Sequence, residues 1–256
     1  MANEVSRSEL TDFLNDLLDV NEYNDYGPNG LQIEGREKIR KVAFAVSAQR
    51  NSIESACAWK ADAMVVHHGL FWKFHGARTL TGPVAKRVLP LVRNEINLLG
   101  YHLPLDAHKT HGNAAGIARA LDLQDIAAFG DYKGMPTGLC GSFKEAIKGE
   151  ELRDKLKDIL GHEVLYSNPE SEMIESVGII TGGANGQWTE SLNLGICAYI
   201  TGEMSEHDYH ESREAGIHMF AGGHNATERF GVLSLKSLIE KKFGLECMFF
   251  DSENPA

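Results

Sequence analysis

Lys41-Val-Ala-Phe-Ala-Val-Ser-Ala48 carries a continuous apolar run of strand length, and Ser176-Val-Gly-Ile-Ile-Thr-Gly-Gly183 repeats that pattern 135 positions later. At the same shift Ala63-Met-Val-Val66 falls on Ala198-Tyr-Ile-Thr201, and His68 falls on Glu203. Each pair of runs brackets a periodic stretch, so each segment reads as strand, helix, strand. A second coincidence appears at a shift of 122, where His102 falls on His224, Asp106 on Glu228, and Gly116–Leu123 on Leu238–Leu245. Two ungapped matches predict an internal duplication. Runs this apolar belong to sheets covered on both faces. The expected fold is therefore α/β, built as two pseudo-repeated three-layer lobes.

Working outward, residues 1–124 form the expected first half and residues 172–256 the second. Residues 125–171 have no counterpart in either match and read as a connecting segment with its own small sheet edge. No low-complexity linker marks a boundary, so interlocked lobes and separable ones both fit. Ser6 and Glu9 have capping-box spacing, and Val5 with Leu10 has that of a hydrophobic staple. Leu10, Phe13, Leu14, Leu17 and Leu18 then make one apolar stripe. A further helix is predicted over Glu151–Leu160.

Hydrophobic residues make up 43% of the 256 and charged residues 24%, which favours a packed core over disorder. The net charge of −11 offers no basic face for nucleic acid. The short cluster Arg36, Lys38, Arg40, Lys41 reads as a solvated loop. None of the four cysteines forms a CxxC pair, which favours a reducing compartment. The start of the chain lacks a signal-peptide pattern, and no apolar run approaches the ~20 residues of a membrane helix. A cytoplasmic protein without membrane contact is expected.

Polar residues of one chemical kind sit at or just after the strand ends, where α/β proteins place their sites. They are His67-His68-Gly69, His102-Leu-Pro-Leu-Asp106 and His224-Asn-Ala-Thr-Glu228. Imidazole and carboxylate without thiolate suit a hard-to-borderline divalent cation, and these donors are numerous enough for two. A metal cluster at the junction of the lobes is expected. Adjacent strand residues point to opposite faces, so His67 and His68 share a site only if the strand has ended, which Gly69 permits. The alternative is one core and one surface histidine. His224 and Glu228 fall on one side of a helix starting near Asn225, although Asn225 and Glu228 also have the spacing of a simple capping box. Pro104 argues that His102–Asp106 is extended or turned, so Asp106 reads as a ligand and His102 as a ligand, a neighbour of ligands or a proton shuttle. His108 and His111 read at most as neighbours of the site. His207 and His210 lie in a helical stretch, 203–215, and read as surface. Glu203 ends an apolar strand and is a candidate general base or ligand-orienting carboxylate. Thr181-Gly-Gly-Ala-Asn-Gly186 could cradle an anion but reads better as a tight turn.

The segments Asp25-Tyr-Gly-Pro-Asn-Gly-Leu-Gln-Ile-Glu-Gly35, Val66-His-His-Gly-Leu-Phe-Trp-Lys73, Tyr101-His-Leu-Pro-Leu-Asp-Ala-His108, Thr201-Gly-Glu-Met-Ser-Glu206 and Gly223-His-Asn-Ala-Thr-Glu-Arg229 resemble the signature segments of the GTP cyclohydrolase I type 2 homologue family, the Nif-three-like proteins. The resemblance spans nearly the whole chain. It implies a dinuclear metal protein that assembles as a toroidal homohexamer. It also implies His67, His68, Asp106, His224 and Glu228 as metal ligands, with Glu228 bridging two ions of Zn, Fe, Mn, Ni or Co. On this footing the chain is expected to be a metal-dependent hydrolase of a small molecule, cyclohydrolase-like by resemblance. Glu203 or His102 would move the proton. A non-catalytic metal-binding or regulatory scaffold is the alternative.

Overall fold

A computed structural model of the chain describes residues 3–169 and 173–255. The boundary expected at 171/172 lies outside the described residues. In chain order the elements begin with β1 (Val5–Ser6), α1 (Arg7–Leu17), β2 (Gly30–Ile33), β3 (Lys38–Ile39), β4 (Lys41–Ser47), α2 (Arg50–Ala58), β5 (Ala63–His68), α3 (Gly82–Arg93), β6 (Asn97–Gly100) and α4 (Leu103–Ala107). There follow α5 (Asn113–Ala120), β7 (Gln124–Phe129), β8 (Gly138–Ile147), α6 (Gly149–Leu160), β9 (Leu165–Ser167), β10 (Ile174–Ile179), α7 (Trp188–Leu194) and β11 (Ala198–Thr201). The chain closes with α8 (Glu206–Glu214), β12 (His218–Ala221), α9 (His224–Thr227), α10 (Arg229–Phe243) and β13 (Glu246–Phe249).

These elements form two compact units, residues 1–105 with 231–253, and residues 106–230 with 254–256. The last helix and strand return to the first unit, because Val232, Leu235 and Ile239 of α10 bury their apolar face among its core residues. Residues 125–171 do not merely connect. Those described, 125–169, supply β7 (but for Gln124), β8, α6 and β9 to the second unit, with β7 and β9 as the two edges of its sheet.

The first unit holds a five-stranded sheet ordered β13-β4-β5-β6-β2. Along β4 the side chains alternate. Val42, Phe44 and Val46 join the core with α1 and α10, whereas Ala43 and Ala45 join the core with α2 and α3. That alternation, with both faces covered, is what a three-layer α/β lobe requires. At the start of α1, Ser6 accepts a hydrogen bond from the Glu9 amide at 3.1 Å, as the capping pattern predicted.

The second unit holds a six-stranded sheet ordered β7-β8-β10-β11-β12-β9. Its two faces are covered in the same way. Val177, Ile179 and Ile200 pack with α5 and α6, and Tyr199 and Met219 pack with Trp188 of α7.

The duplication extends into the strand register. In the first unit Val42 pairs with Ala63 and Phe44 with Val65. In the second, Val177 pairs with Ala198 and Ile179 with Ile200, the same pairs displaced by 135 positions. Third strands follow in parallel, with Ala63 opposite Asn97 and Ala198 opposite His218. Each set then ends on an antiparallel edge strand, β2 on β6 and β9 on β12. The copies diverge at the other side, where β13 is parallel to β4 but β8 is antiparallel to β10.

Leu156 tests the place of α6. It is fully buried with Leu152 and Leu160 along one helical face. Leu156→Ala is expected to cost about 2–5 kcal/mol in urea unfolding. A segment that only connected two lobes would change stability by no more than about 0.5 kcal/mol.

Candidate metal-binding clusters

In the first unit β5 ends on His67 and His68. The strand does not stop before them, as strict alternation would require of two histidines sharing a site, since His68 still sits in register opposite Ser47. The two rings nevertheless lie with centroids 4.6 Å apart, tilted by 50°. His102 follows β6, with its ring 5.1 Å from that of His67 and 5.7 Å from that of His68. One ring nitrogen from each of the three lies within 4.8 Å of the others, close enough to ligate one ion.

Neighbouring groups decide which nitrogens are offered. His67 is fully buried, and its Nδ1–H donates to the Tyr101 carbonyl at 2.9 Å. His102 Nδ1–H donates to Asp25 Oδ1 at 2.7 Å. A carbonyl and a carboxylate only accept, so in both rings Nε2 is the nitrogen that offers a lone pair when the ring is neutral. His68 Nδ1 lies 3.0 Å from Ser47 Oγ.

Asp25 is the residue that sequence reasoning missed. Only 3% exposed, its carboxylate also accepts from the amides of Tyr26 and Leu103 and from Asn29 Nδ2. Burial pushes its pKa up, but the hydrogen bond and charge of His102, with Asn29 and Tyr26, outweigh that and hold it below the ordinary aspartate value. Its signal lay in Asp25-Tyr-Gly-Pro-Asn-Gly30, a turn sequence whose acid folds back onto its own loop. Gln32 secures the other side of the cluster, donating to the Pro28 carbonyl and accepting from the Leu70 amide, each at 2.8 Å. A Cβ on Gly69 would collide with Gln32. Asp25→Asn is expected to weaken metal binding by the histidines about 10–100-fold, measured by competition with a chromophoric chelator. Unchanged affinity would remove Asp25 from the site.

The segment from His102 is helical, not extended. Pro104 falls in the first turn of α4, where a missing N–H breaks no helical hydrogen bond. Within the second unit Asp106 is buried, and its Oδ1 accepts from Asn113 Nδ2 at 2.9 Å and Thr181 Oγ1 at 3.0 Å.

The second unit gathers its remaining donors at α9. This helix starts at His224 itself, after Gly223 at φ +90°, and Glu228 closes it, so Asn225 and Glu228 make no capping box. His224 Nδ1–H donates to Glu203 Oε1 at 2.5 Å, and His224 Nε2 lies 3.3 Å from Glu228 Oε1. Glu228 is only 3% exposed. Burial disfavours the imidazolium of His224, but hydrogen bonds and charge from Glu228 and Glu203 outweigh it and raise its pKa to about 9. On the Nε2 side, where Glu228 holds a proton on this ring, a divalent cation could take the proton's place, while Glu203 keeps the Nδ1–H. The Thr181–Gly186 loop is not an anion cradle: Gly182, at φ +70°, approaches the Glu228 carboxylate so closely that a Cβ would collide with Oε1.

Among the described residues the other histidines join none of these groups of donors. His108 Nδ1 accepts from the amides of Thr110 and His111. His207 and His210 are exposed on α8, as expected. His218 is buried, with Nδ1 2.7 Å from Tyr166 Oη.

Two three-layer α/β units carrying histidine and carboxylate clusters that could hold a metal define a class of protein, and comparison with known sequences supplies the family. A family profile described as Duf34/NIF3 (NGG1p interacting factor 3) matches residues 5–255. The chain belongs to that family. Relatives named GTP cyclohydrolase 1 type 2 homolog include one from Neisseria meningitidis serogroup B, 42% identical over 96% of this chain and 98% of its own. Another, from Haemophilus influenzae, is 38% identical over 97% of this chain and 98% of its own. The solved structure of protein ybgI, described as of unknown function, superposes with a TM-score of 0.90 at 36% identity, covering 98% of this chain and all of the other. Among the described residues no helix is long and apolar enough to cross a membrane.

Proposed function

We propose that the chain binds two divalent metal ions and is a metal-dependent hydrolase of a small molecule. His67, His68, Asp106, His224 and Glu228 are the proposed ligands, with Glu228 shared by both ions. The convergence of His67, His68 and His102, two of them with Nδ1 tied down, is the observation that carries the reading. His102 has the same arrangement as His67 and is proposed as a further donor. When bound, such ions supply Lewis acidity and bring the pKa of an attacking water towards ~7. The residues of the chain do the rest. Asp25 and the Tyr101 carbonyl orient imidazoles. Glu203 orients His224 and, being half exposed, can exchange a proton with solvent. The names of the relatives point to a cyclohydrolase-type reaction on a purine nucleotide.

The test is an activity screen of the protein reconstituted with Zn, Fe, Mn, Ni or Co, over nucleoside triphosphates, phosphoesters, cyclic amides and peptides. Activity is expected with the native chain and not with Asp106→Ala. Activity that survives in Asp106→Ala would separate it from the clusters. Metal uptake without turnover of any class would favour a binding or regulatory scaffold. The family resemblance further supports a toroidal homohexamer in the cytoplasm, for which sedimentation at six chain masses is the expected result.

A further inference from the structure

Beside the histidine cluster of the first unit lies a cavity of about 580 Å³, within the ~300–1,000 Å³ range of small-molecule sites. Apolar surface dominates its wall. Val84 and Val88 of α3 line it together with Phe71 and Trp72. Trp72 links the cavity to the metal-type residues, since its ring meets that of His102 edge-on at 4.9 Å and lies 6.0 Å from that of His68. Its indole is held in place by donating to the Gly69 carbonyl at 3.2 Å and by stacking with Phe74.

The charge of the wall runs against the composition of the chain. The protein has 36 acidic and 25 basic residues, yet Lys73, Arg78 and Arg87 line this cavity and, among the described residues, no carboxylate does. Lys73 is satisfied by the Asp25 carbonyl at 2.7 Å. Arg78 and Arg87 line the cavity with, among the described residues, no carboxylate in its lining to neutralise them. Guanidinium groups bind phosphate through paired N–H donors, and three cations in one lining suit a multiply charged anion better than a single carboxylate. A flat ring suits the aromatic side.

We propose that this cavity binds a planar aromatic or heteroaromatic molecule bearing a phosphate group, the ring against Phe71 and Trp72 and the phosphate on Arg78 and Arg87. The ring is thereby brought next to the histidines. The inference deepens the hydrolase reading and rests on it for any reaction of the bound molecule, although the binding itself needs no metal.

The probe is 1-naphthyl phosphate, with 1-naphthol and inorganic phosphate as comparisons, titrated calorimetrically into the full chain before and after chelation. Saturable binding of 1-naphthyl phosphate is expected in both states, about tenfold or more tighter than either comparison. Loss of two charge-assisted contacts in Arg78→Gln/Arg87→Gln should weaken it by at least about tenfold. Both side chains reach the surface, so this variant keeps the fold. Equal affinity for 1-naphthol, or for inorganic phosphate, would overturn the proposal, as would binding that the double variant leaves unchanged. Binding abolished by chelation would place the phosphate on the ions and overturn the pocket while leaving the hydrolase reading intact. Conversely, tight binding by a chain that takes up no metal would uphold the pocket and sink the hydrolase reading. A concentration-dependent oligomer lost in the double variant, with no binding of the probe, would show a second copy of the chain in the cavity and overturn the proposal.

Discussion

If the chain takes up two ions as proposed, Glu228→Ala is expected to lower the metal content to at most one, measured by elemental analysis after dialysis against excess metal. Glu228 sits at the end of α9, almost wholly buried, with Oε1 3.3 Å from His224 Nε2. A carboxylate is kept charged at that depth only if cations face it. His224 supplies one in its protonated form, and that proton is what a metal ion displaces. Without Glu228, His224 keeps the half-exposed Glu203, whose position on Nδ1 orients the ring and cannot replace the carboxylate on the Nε2 side. The effect on any hydrolytic rate should therefore exceed the 10–100-fold loss typical of a residue that only orients ligands. Glu228→Gln keeps the volume and removes the charge, so it should behave as the alanine variant does while holding the fold. Two ions retained in both variants would exclude Glu228 as the shared ligand.

The sequence disclosed the repeat because both copies are built on strands with apolar faces on each side, and such runs survive divergence as pattern. Val42 and Val177, or Ala63 and Ala198, could be paired by counting alone, and the strand register keeps the same offset. The edges were not legible. β2 and β9 fall on each other at the same shift of 135, but Gly30-Leu31-Gln32-Ile33 and Leu165-Tyr166-Ser167-Asn168 have no residue in common, so counting found no match there, although each lies antiparallel on the third strand. The return of α10 to the first unit was hidden for a related reason. Its apolar stripe shows that it packs, but periodicity cannot say against which sheet.

The histidines were legible because metal-type donors at strand ends are rare enough to notice. What holds them was not. The contact from Asp25 to His102 spans 77 positions, and no local pattern announces it. Pro104 misled for the opposite reason: a local rule was applied without knowing that the helix starts at Leu103, where proline is harmless.

Gly182→Ala should disable the second cluster without touching a donor. The residue is held at φ +70°, which costs an L-residue about 1–2 kcal/mol. The backbone cannot turn away to relieve it. Its amide donates to Thr227 Oγ1 at 3.1 Å, and its carbonyl accepts from the Gly202 amide at 2.9 Å and from Thr201 Oγ1 at 3.2 Å. The added methyl would collide with Glu228 Oε1 and come within 3.0 Å of His224 Nε2. One of the two must leave its place, and Glu228, as the nearer, moves first. The expected outcome is a loss of metal affinity of about a hundredfold or more with a fall in stability of about 2–4 kcal/mol, read from chelator competition and from urea unfolding of the chelated protein. Gly186→Ala is the control, because the same loop there has no atom within 4 Å of the new carbon and no left-handed backbone. It should bind metal as the native chain does. Native affinity in Gly182→Ala would mean that the carboxylate has room to spare, and that the close approach of this loop does not set the geometry of the cluster.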